Sequence, residues 1–169
     1  MNWYALFVET GKESSIQKCI EHWFDKSVCY SLVPKRRLTE QKQGKKYQVV
    51  RTMFPGYVFI NTDMCIEYYY KLISIPRVIK ILNNGTYYSR IENEEIAPIL
   101  RLVNNGEIID YSRIFIVNSR VLVKSGPLHG MEGIIRRVDK RKGRAQISLD
   151  LLGSPKLFDL GVEILDELD

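Results

Sequence analysis

No run of apolar residues in this sequence approaches the ~18–20 that a membrane-spanning helix requires, which excludes a helical membrane protein. The chain starts Met1-Asn2-Trp3-Tyr4, without the basic start or small-residue cleavage site of a secretory signal. A cytoplasmic protein with no membrane partner is expected. Cysteine is scarce: Cys19, Cys29 and Cys65 are odd in number and match no metal-ligand spacing. Histidine is scarcer still, with His22 and His129 far apart. Also missing are a phosphate-binding glycine loop, a nucleophile elbow, an HExxH helix and a recognisable pair of acid–base carboxylates. Glu94 and Glu95 are adjacent, but they suit the first turn of a helix, where the dipole favours acids. These gaps point away from an enzyme and imply no metal or cofactor. Internal repeats and low-complexity segments are missing too.

What is present fits a folded soluble chain: 45% hydrophobic and 27% charged residues in 169. The net charge is +5 and the pI about 9.1. That excess is compatible with a nucleic-acid partner without establishing one. It is not concentrated in a tail. Residues 1–112 carry 15 basic and 12 acidic side chains, and residues 113–169 carry 10 and 8.

Trp3 to Val8 is apolar and aromatic and predicts a buried strand. Thr10-Gly11-Lys12-Glu13 fits a capping box, and Ile16, Cys19, Ile20, Trp23 and Phe24 then follow the spacing of an amphipathic helix. Cys19 lies on that apolar stripe, so core packing is its expected role, and His22 reads as a helix surface residue. Cys29–Val33 predicts a second strand. Residues 34–51 predict a long β-hairpin turning near Gly44. Phe54-Pro55-Gly56 predicts a turn, and Tyr57–Ile60 another strand. Asp63 is a candidate cap for a second helix with Ile66, Tyr69, Tyr70 and Ile73 on one face. Ile79–Leu82 predicts a strand that ends at Asn83-Asn84-Gly85. A third helix carries Ile96, Ile99, Leu100 and Val103, with Pro98 in its first turn, where a missing N–H is tolerated. The order β-α-β-β-β-α-β-α suggests an antiparallel α/β sandwich. Residues 106–117 read as a short linker. Beyond them, short strands at Val121–Val123, Ile134–Ile135, Ala145–Leu149 and Val162–Leu165 suggest a five-stranded barrel of ~55 residues.

Two motifs carry a family resemblance. Ser125-Gly126-Pro127-Leu128-His129-Gly130-Met131-Glu132-Gly133 demands tight turns. With Val121-Leu122-Val123 before it, Ile134-Ile135 after it and Leu151-Leu152-Gly153 later, it resembles the KOW module. Met53-Phe54-Pro55-Gly56-Tyr57-Val58-Phe59-Ile60, with Trp3-Tyr4 at the start, resembles the N-terminal domain of NusG-type transcription elongation factors. The resemblance implies an α+β fold: a NusG-like N-terminal antiparallel α/β sandwich over residues 1–105, a linker over 106–117 and a small all-β KOW barrel over 118–169. It further implies docking of the N-terminal domain on the β′ clamp helices of bacterial RNA polymerase, beside upstream DNA. The KOW domain would take a second partner: a ribosomal protein, Rho or RNA. A helix tip needs a concave apolar surface, and aromatics supply contact area with few rotors to freeze. Met53, Phe54 and Tyr57 match the family's docking segment. Phe7 is a candidate for the same surface or for the core, and Phe59 is assigned to the core.

Two basic clusters follow. In the hairpin, Lys35, Arg36, Arg37, Lys42, Lys45, Lys46 and Arg51 face only Glu40. The resemblance places this face near DNA, where each cation can neutralise a phosphate. A solvated loop is the alternative. In the barrel, Arg136, Arg137, Lys140, Arg141, Lys142 and Arg144 share one hairpin with a single acid, Asp139, and Lys124 and His129 stand in a neighbouring turn. Such a loop resembles the specialised NusG paralogs of the LoaP group, which read a hairpin in nascent leader RNA. Arginine suits that work because it grips phosphates and can stack or read guanine edges. An A-form major groove is too narrow to read, so a bulge or loop would be required. Three functions stay open: an operon-specific antiterminator acting as a monomer, a general NusG factor linking polymerase to the ribosome or Rho, and a ribosome-associated KOW protein. The N-terminal motif argues against the third.

Overall fold

The computed structural model describes residues 1–85 and 87–165. In chain order the elements are β1 (Asn2–Val8), α1 (Glu13–Trp23), β2 (Cys29–Leu32), β3 (Lys35–Lys42), β4 (Lys45–Thr52), β5 (Tyr57–Thr62), α2 (Ile66–Ile73), β6 (Val78–Ile81) and α3 (Asn93–Leu102). There follow β7 (Ile108–Ile109), β8 (Ser112–Val117), β9 (Arg120–Ser125), a 3-10 turn at Glu132–Ile134, β10 (Ile135–Asp139), β11 (Arg144–Leu151) and β12 (Ser154–Ile164). The first nine elements follow the predicted segments, with the hairpin supplying two strands, so that four strands stand between α1 and α2 where the order β-α-β-β-β-α-β-α has three; the α+β class is as expected. The elements gather into two compact units. One comprises Met1–Val33 and Phe54–Ile96; the other comprises Pro34–Met53 and the chain from Ala97 onward.

The first unit is built on an antiparallel sheet ordered β2-β5-β1-β6. Alternation along its central strands sorts the side chains. Tyr4, Leu6 and Val8 of β1 and Val58 and Ile60 of β5 join Ile16, Ile20, Leu72 and Ile81 in one buried cluster. Each such side chain, fully buried, contributes roughly 1.5–3 kcal/mol. Burial pushes the Cys29 thiol up to about 11, leaving it a packing residue without thiolate reactivity. Cys19 is half-buried against the same cluster, and Cys65 is exposed.

The helix signals need correction in four places. Thr10 does not cap α1: the N-cap is Lys12, without a side-chain cap. Nor does Asp63 cap α2, whose N-cap is Cys65. On α2 the buried residue is Leu72, while Ile66 and Tyr70 are more than half exposed. The face predicted from Ile66, Tyr69, Tyr70 and Ile73 is therefore turned too far towards solvent. Pro98 lies in the middle of α3, because the helix begins at Asn93. Its missing N–H leaves the Glu94 carbonyl without an i+4 donor.

The second unit contains two sheets, ordered β10-β11-β12-β8-β9 and β4-β3-β7. The five-stranded sheet matches the expected barrel, but it starts earlier than predicted. Residues 106–117 are not a linker: they contain β7 and β8, and β8 pairs with both β9 and β12. Ile114-Phe115-Ile116-Val117 is an apolar run rich in β-branched residues, as a strand favours, with Ile114 fully buried and the next three half-buried. The predicted hairpin over 34–51 is present as β3 and β4, joined at Gln43 and Gly44 with φ of 52° and 76°. Two successive positive φ values define the turn whose twist suits paired strands. The hairpin groups with the five-stranded sheet and not with residues 1–33. The units thus divide the chain differently from the expected boundaries at 105 and 118, and residues 166–169 of the expected KOW segment lie outside the described residues. Gly126, in the motif, is held at φ +100°, and a Cβ there would lie 2.6 Å from the Ser112 Cα. Only glycine fits such a site.

Candidate functional site

The sheet face opposite the buried cluster of the first unit is aromatic. Phe7 and Tyr57 are paired across β1 and β5, both half-buried, with ring centroids 5.8 Å apart. Trp3 and Tyr30 meet edge-to-face at 6.1 Å, and Tyr30 is exposed. Phe54 packs edge-on against Phe59 at 5.1 Å, and both are buried. Met53 is also buried. Of the four residues proposed from sequence for docking, Phe7 and Tyr57 offer ring surface, whereas Met53 and Phe54 are turned inward. Phe54 thus behaves as Phe59 was expected to.

The turn behind these rings is set by Pro55, Gly56 and the carboxylate of Glu13. The Tyr57 N–H donates to the Phe54 carbonyl at 3.1 Å, with Pro55 and Gly56 between and Gly56 at φ +85°. Proline then a positive-φ glycine is the type II pattern. Glu13 fixes this turn from α1. Its buried carboxylate accepts the Gly56 N–H at 2.7 Å and the Gly11 N–H at 3.0 Å. Sequence reasoning read Glu13 as half of a capping box and missed this bond, which spans 43 residues. Glu13→Ala is expected to leave the Gly56 N–H unpaired at a cost of about 1–3 kcal/mol. Thermal unfolding monitored by circular dichroism should fall by about 2–12 °C; an unshifted midpoint would show that the bond contributes nothing.

In the hairpin, the expected cationic face is smaller than its composition suggests. Arg36 turns inward and donates from Nη1 to the Asp159 carbonyl at 2.6 Å; burial lowers its pKa from the usual range. Arg37 pairs with Asp110 at 3.3 Å and Lys35 with Glu107 at 3.9 Å. Arg51 donates twice to Glu40, at 3.0 and 2.9 Å, and these bonds hold the Glu40 carboxyl below its ordinary range. Lys42, Lys45 and Lys46 remain exposed at the tip, and no ion pair engages them among the described residues.

The barrel cluster keeps more of its charge outside. Arg136, Arg137, Lys140, Arg141 and Lys142 are exposed, and Arg136 donates to the Gly133 carbonyl at 2.9 Å. The one acid, Asp139, is a turn residue: its carboxylate accepts the Lys142 N–H at 2.9 Å, and this bond keeps its pKa below the ordinary value. Arg144 departs from the group. It is half-buried, 3.8 Å from the Asp159 carboxylate, and it donates to the Thr39 carbonyl at 3.4 Å. Lys124 stands 5.8 Å from the Phe115 ring centroid, within cation–π range. His129 is exposed, and its carbonyl accepts from Arg101 at 3.3 Å. Arg120 at the start of β9 is a further exposed cation, missed because it stands alone in the sequence.

The family model described as transcription termination factor nusG matches residues 1–100. The chain belongs to the NusG family. It is 26% identical over 159 residues to the NusG transcription termination/antitermination protein of Helicobacter pylori strain J99, covering 90% of each chain. It is 28% identical over 158 residues to that of Pasteurella multocida, covering 89% of this chain and 86% of the relative. The solved structure of Thermotoga maritima NusG shares the fold, with a TM-score of 0.60 at 23% identity, over 95% of this chain and 93% of that one. In this NusG-family chain, the aromatic face and the barrel's cationic hairpin are chemically distinct surfaces. One is apolar and aromatic, with the chemistry of a protein-binding surface; the other is polycationic, with the chemistry that meets phosphates. No helix among the described residues is long and apolar enough to cross a membrane.

Proposed function

We propose that this chain is a transcription elongation and antitermination factor that docks on RNA polymerase and binds structured nascent RNA. Its N-terminal domain engages the β′ clamp helices through the aromatic face around Phe7 and Tyr57. Its C-terminal barrel, read as a KOW domain, takes a hairpin in leader RNA, as the LoaP group does. The observation that carries the RNA half is the set of five exposed cations on one barrel hairpin whose single acid is committed to its turn. Several phosphates can be met at once by such a group, and each contact adds to affinity at low salt. The test is terminator readthrough by purified polymerase on templates with and without a structured leader. Leader-dependent readthrough supports the proposal. Readthrough that ignores the leader favours a general NusG role, with a ribosomal protein or Rho on the barrel. That second reading draws on the near full-length similarity to the NusG proteins of other bacteria.

The hairpin tip adds an electrostatic contact to upstream DNA or polymerase. Replacing Lys42, Lys45 and Lys46 with glutamine is expected to weaken association with the elongation complex severalfold at low salt. Exposed charges act through screened attraction, so the deficit should shrink as salt rises. Equal losses in titrations at both salt concentrations would assign the lysines another role.

A further inference from the structure

The strands β9 and β10 are the two ends of the five-stranded sheet, and between them lies an open groove of about 460 Å³. Its floor is aliphatic, with Leu122 and Ile135 prominent, and its rim carries Arg120, Arg136, Arg137 and Lys140. Leu122 is 51% exposed, large for a leucine in a small barrel. The groove's one acid, Glu132, accepts the Val123 N–H at 3.2 Å and so is tied to the strand beside it. Lys142 and Arg144 line a different depression with Asp139 and Asp159, and Arg137 stands between the two, lining both. The structure thus splits a cluster that is continuous in sequence: part of it surrounds an apolar slot, and part of it sits among carboxylates.

We infer that this slot seats unpaired RNA bases, with Arg120, Arg136, Arg137 and Lys140 holding the flanking phosphates. The inference rests on the RNA-binding reading proposed above and names the part of the RNA that is recognised. Three features favour an unpaired segment. A slot of this volume is of small-ligand size, so it admits extruded bases and not a duplex. Bases splayed from a bulge or loop need an apolar surface for one face, and guanidinium planes can stack on the other. The outer edges of terminal strands also present backbone N–H and C=O groups, which can hydrogen-bond base edges. Four cations against one engaged acid match a polyanion better than an uncharged protein strand.

The test uses full-length protein and three fluorescein-labelled RNA stem-loops in anisotropy titrations at two salt concentrations. One stem has a short bulge, one has the same bulge with abasic riboses, and one is fully paired. Wild type should prefer the bulged RNA, and removing the bulge bases should weaken binding about tenfold while every phosphate is kept. Arg120→Gln should reduce the log–log salt slope by about 0.7–0.9 and erode the preference. Leu122→Asp, at an exposed position and checked for folding by circular dichroism, should abolish the preference. Lys142→Gln should weaken all three RNAs and keep the preference. If the abasic bulge binds as well as the intact one, or both groove variants discriminate like wild type, the slot is not the base site, although RNA binding stands. If wild type binds no RNA even at low salt, the RNA reading fails together with this inference. If an uncharged β-strand peptide shifts the β9 and β10 amide resonances and RNA does not, the groove serves a protein partner and the inference is overturned.

Discussion

Phe54→Ala is expected to lower the unfolding midpoint by about 6–20 °C, whereas Tyr57→Ala should leave the midpoint nearly unchanged and weaken polymerase clamp-helix binding about thirtyfold. The two residues flank one Pro-Gly turn, and their rings do opposite things. Phe54 is 2% exposed and packs on Phe59, so truncation opens a cavity costing about 3–5 kcal/mol. For a chain of this length each kcal/mol moves the midpoint by about 2–4 °C. Tyr57 is half-buried beside Phe7, with the pair presented on the sheet face opposite the buried cluster. An aromatic anchor in an interface is worth about 2 kcal/mol or more on truncation, close to thirtyfold in affinity. Differential scanning fluorimetry and calorimetric titration with a clamp-helix peptide hairpin separate the effects. Unchanged affinity in a folded Tyr57→Ala protein, with a matching result for Phe7→Ala, would remove docking from this face. Gly56→Ala is a useful companion. It forces φ +85° on a residue with a Cβ, at about 1–3 kcal/mol, and should move both readouts together because the turn positions both rings.

The order of strands and helices through α3 was legible because each element carries its own period: two in β1 and β5, about 3.6 in α1. What escaped the sequence was whatever depended on a distant partner. Glu13 has the spacing of a capping box, but its carboxylate is drawn to Gly56. Thr10 and Asp63 are good cap residues by type, yet the helices start two residues later than each signal implies. In the hairpin and barrel, charge counts overstated the available surface. Arg36 and Arg144 bond carbonyls 123 and 105 residues away, and neither partner can be guessed from local pattern. Desolvating a guanidinium is tolerated only where such acceptors stand in place, so burial itself had to be seen. The strands β7 and β8 were missed for a simpler reason. The segment is poor in turn residues and reads as a linker, although the apolar, β-branched run Ile114-Phe115-Ile116-Val117 marks a strand. Arg120 was invisible for the opposite reason: it belongs to a cluster only in space, across the open seam from Arg136 and Arg137.

Reversing Arg137 and Lys142 to glutamate together should abolish binding of structured RNA and leave polymerase docking intact. The substitutions replace two exposed cations with two anions, a change of four charge units on one hairpin. Arg137 lines both the seam groove and the neighbouring depression, and Lys142 the depression alone, so both parts of the cluster are reversed. Losing two phosphate contacts should lower the log–log salt slope by about 1.4–1.8, and the new anions repel the backbone that remains. Both side chains are exposed, and neither is buried in the barrel's core. The Asp139 carboxylate bonds the backbone N–H of residue 142, so the turn keeps its hydrogen bond whatever side chain stands there. Docking should persist because Phe7 and Tyr57 belong to the other compact unit. The check is a gel-shift titration of wild type and double variant at two salt concentrations, with a scrambled RNA of equal length as competitor. Phosphate contacts position an RNA without specifying it, so wild type must also prefer the structured RNA. Equal binding of structured and scrambled RNA by wild type would reduce the barrel to a non-specific polycation and transfer the argument to the general NusG role.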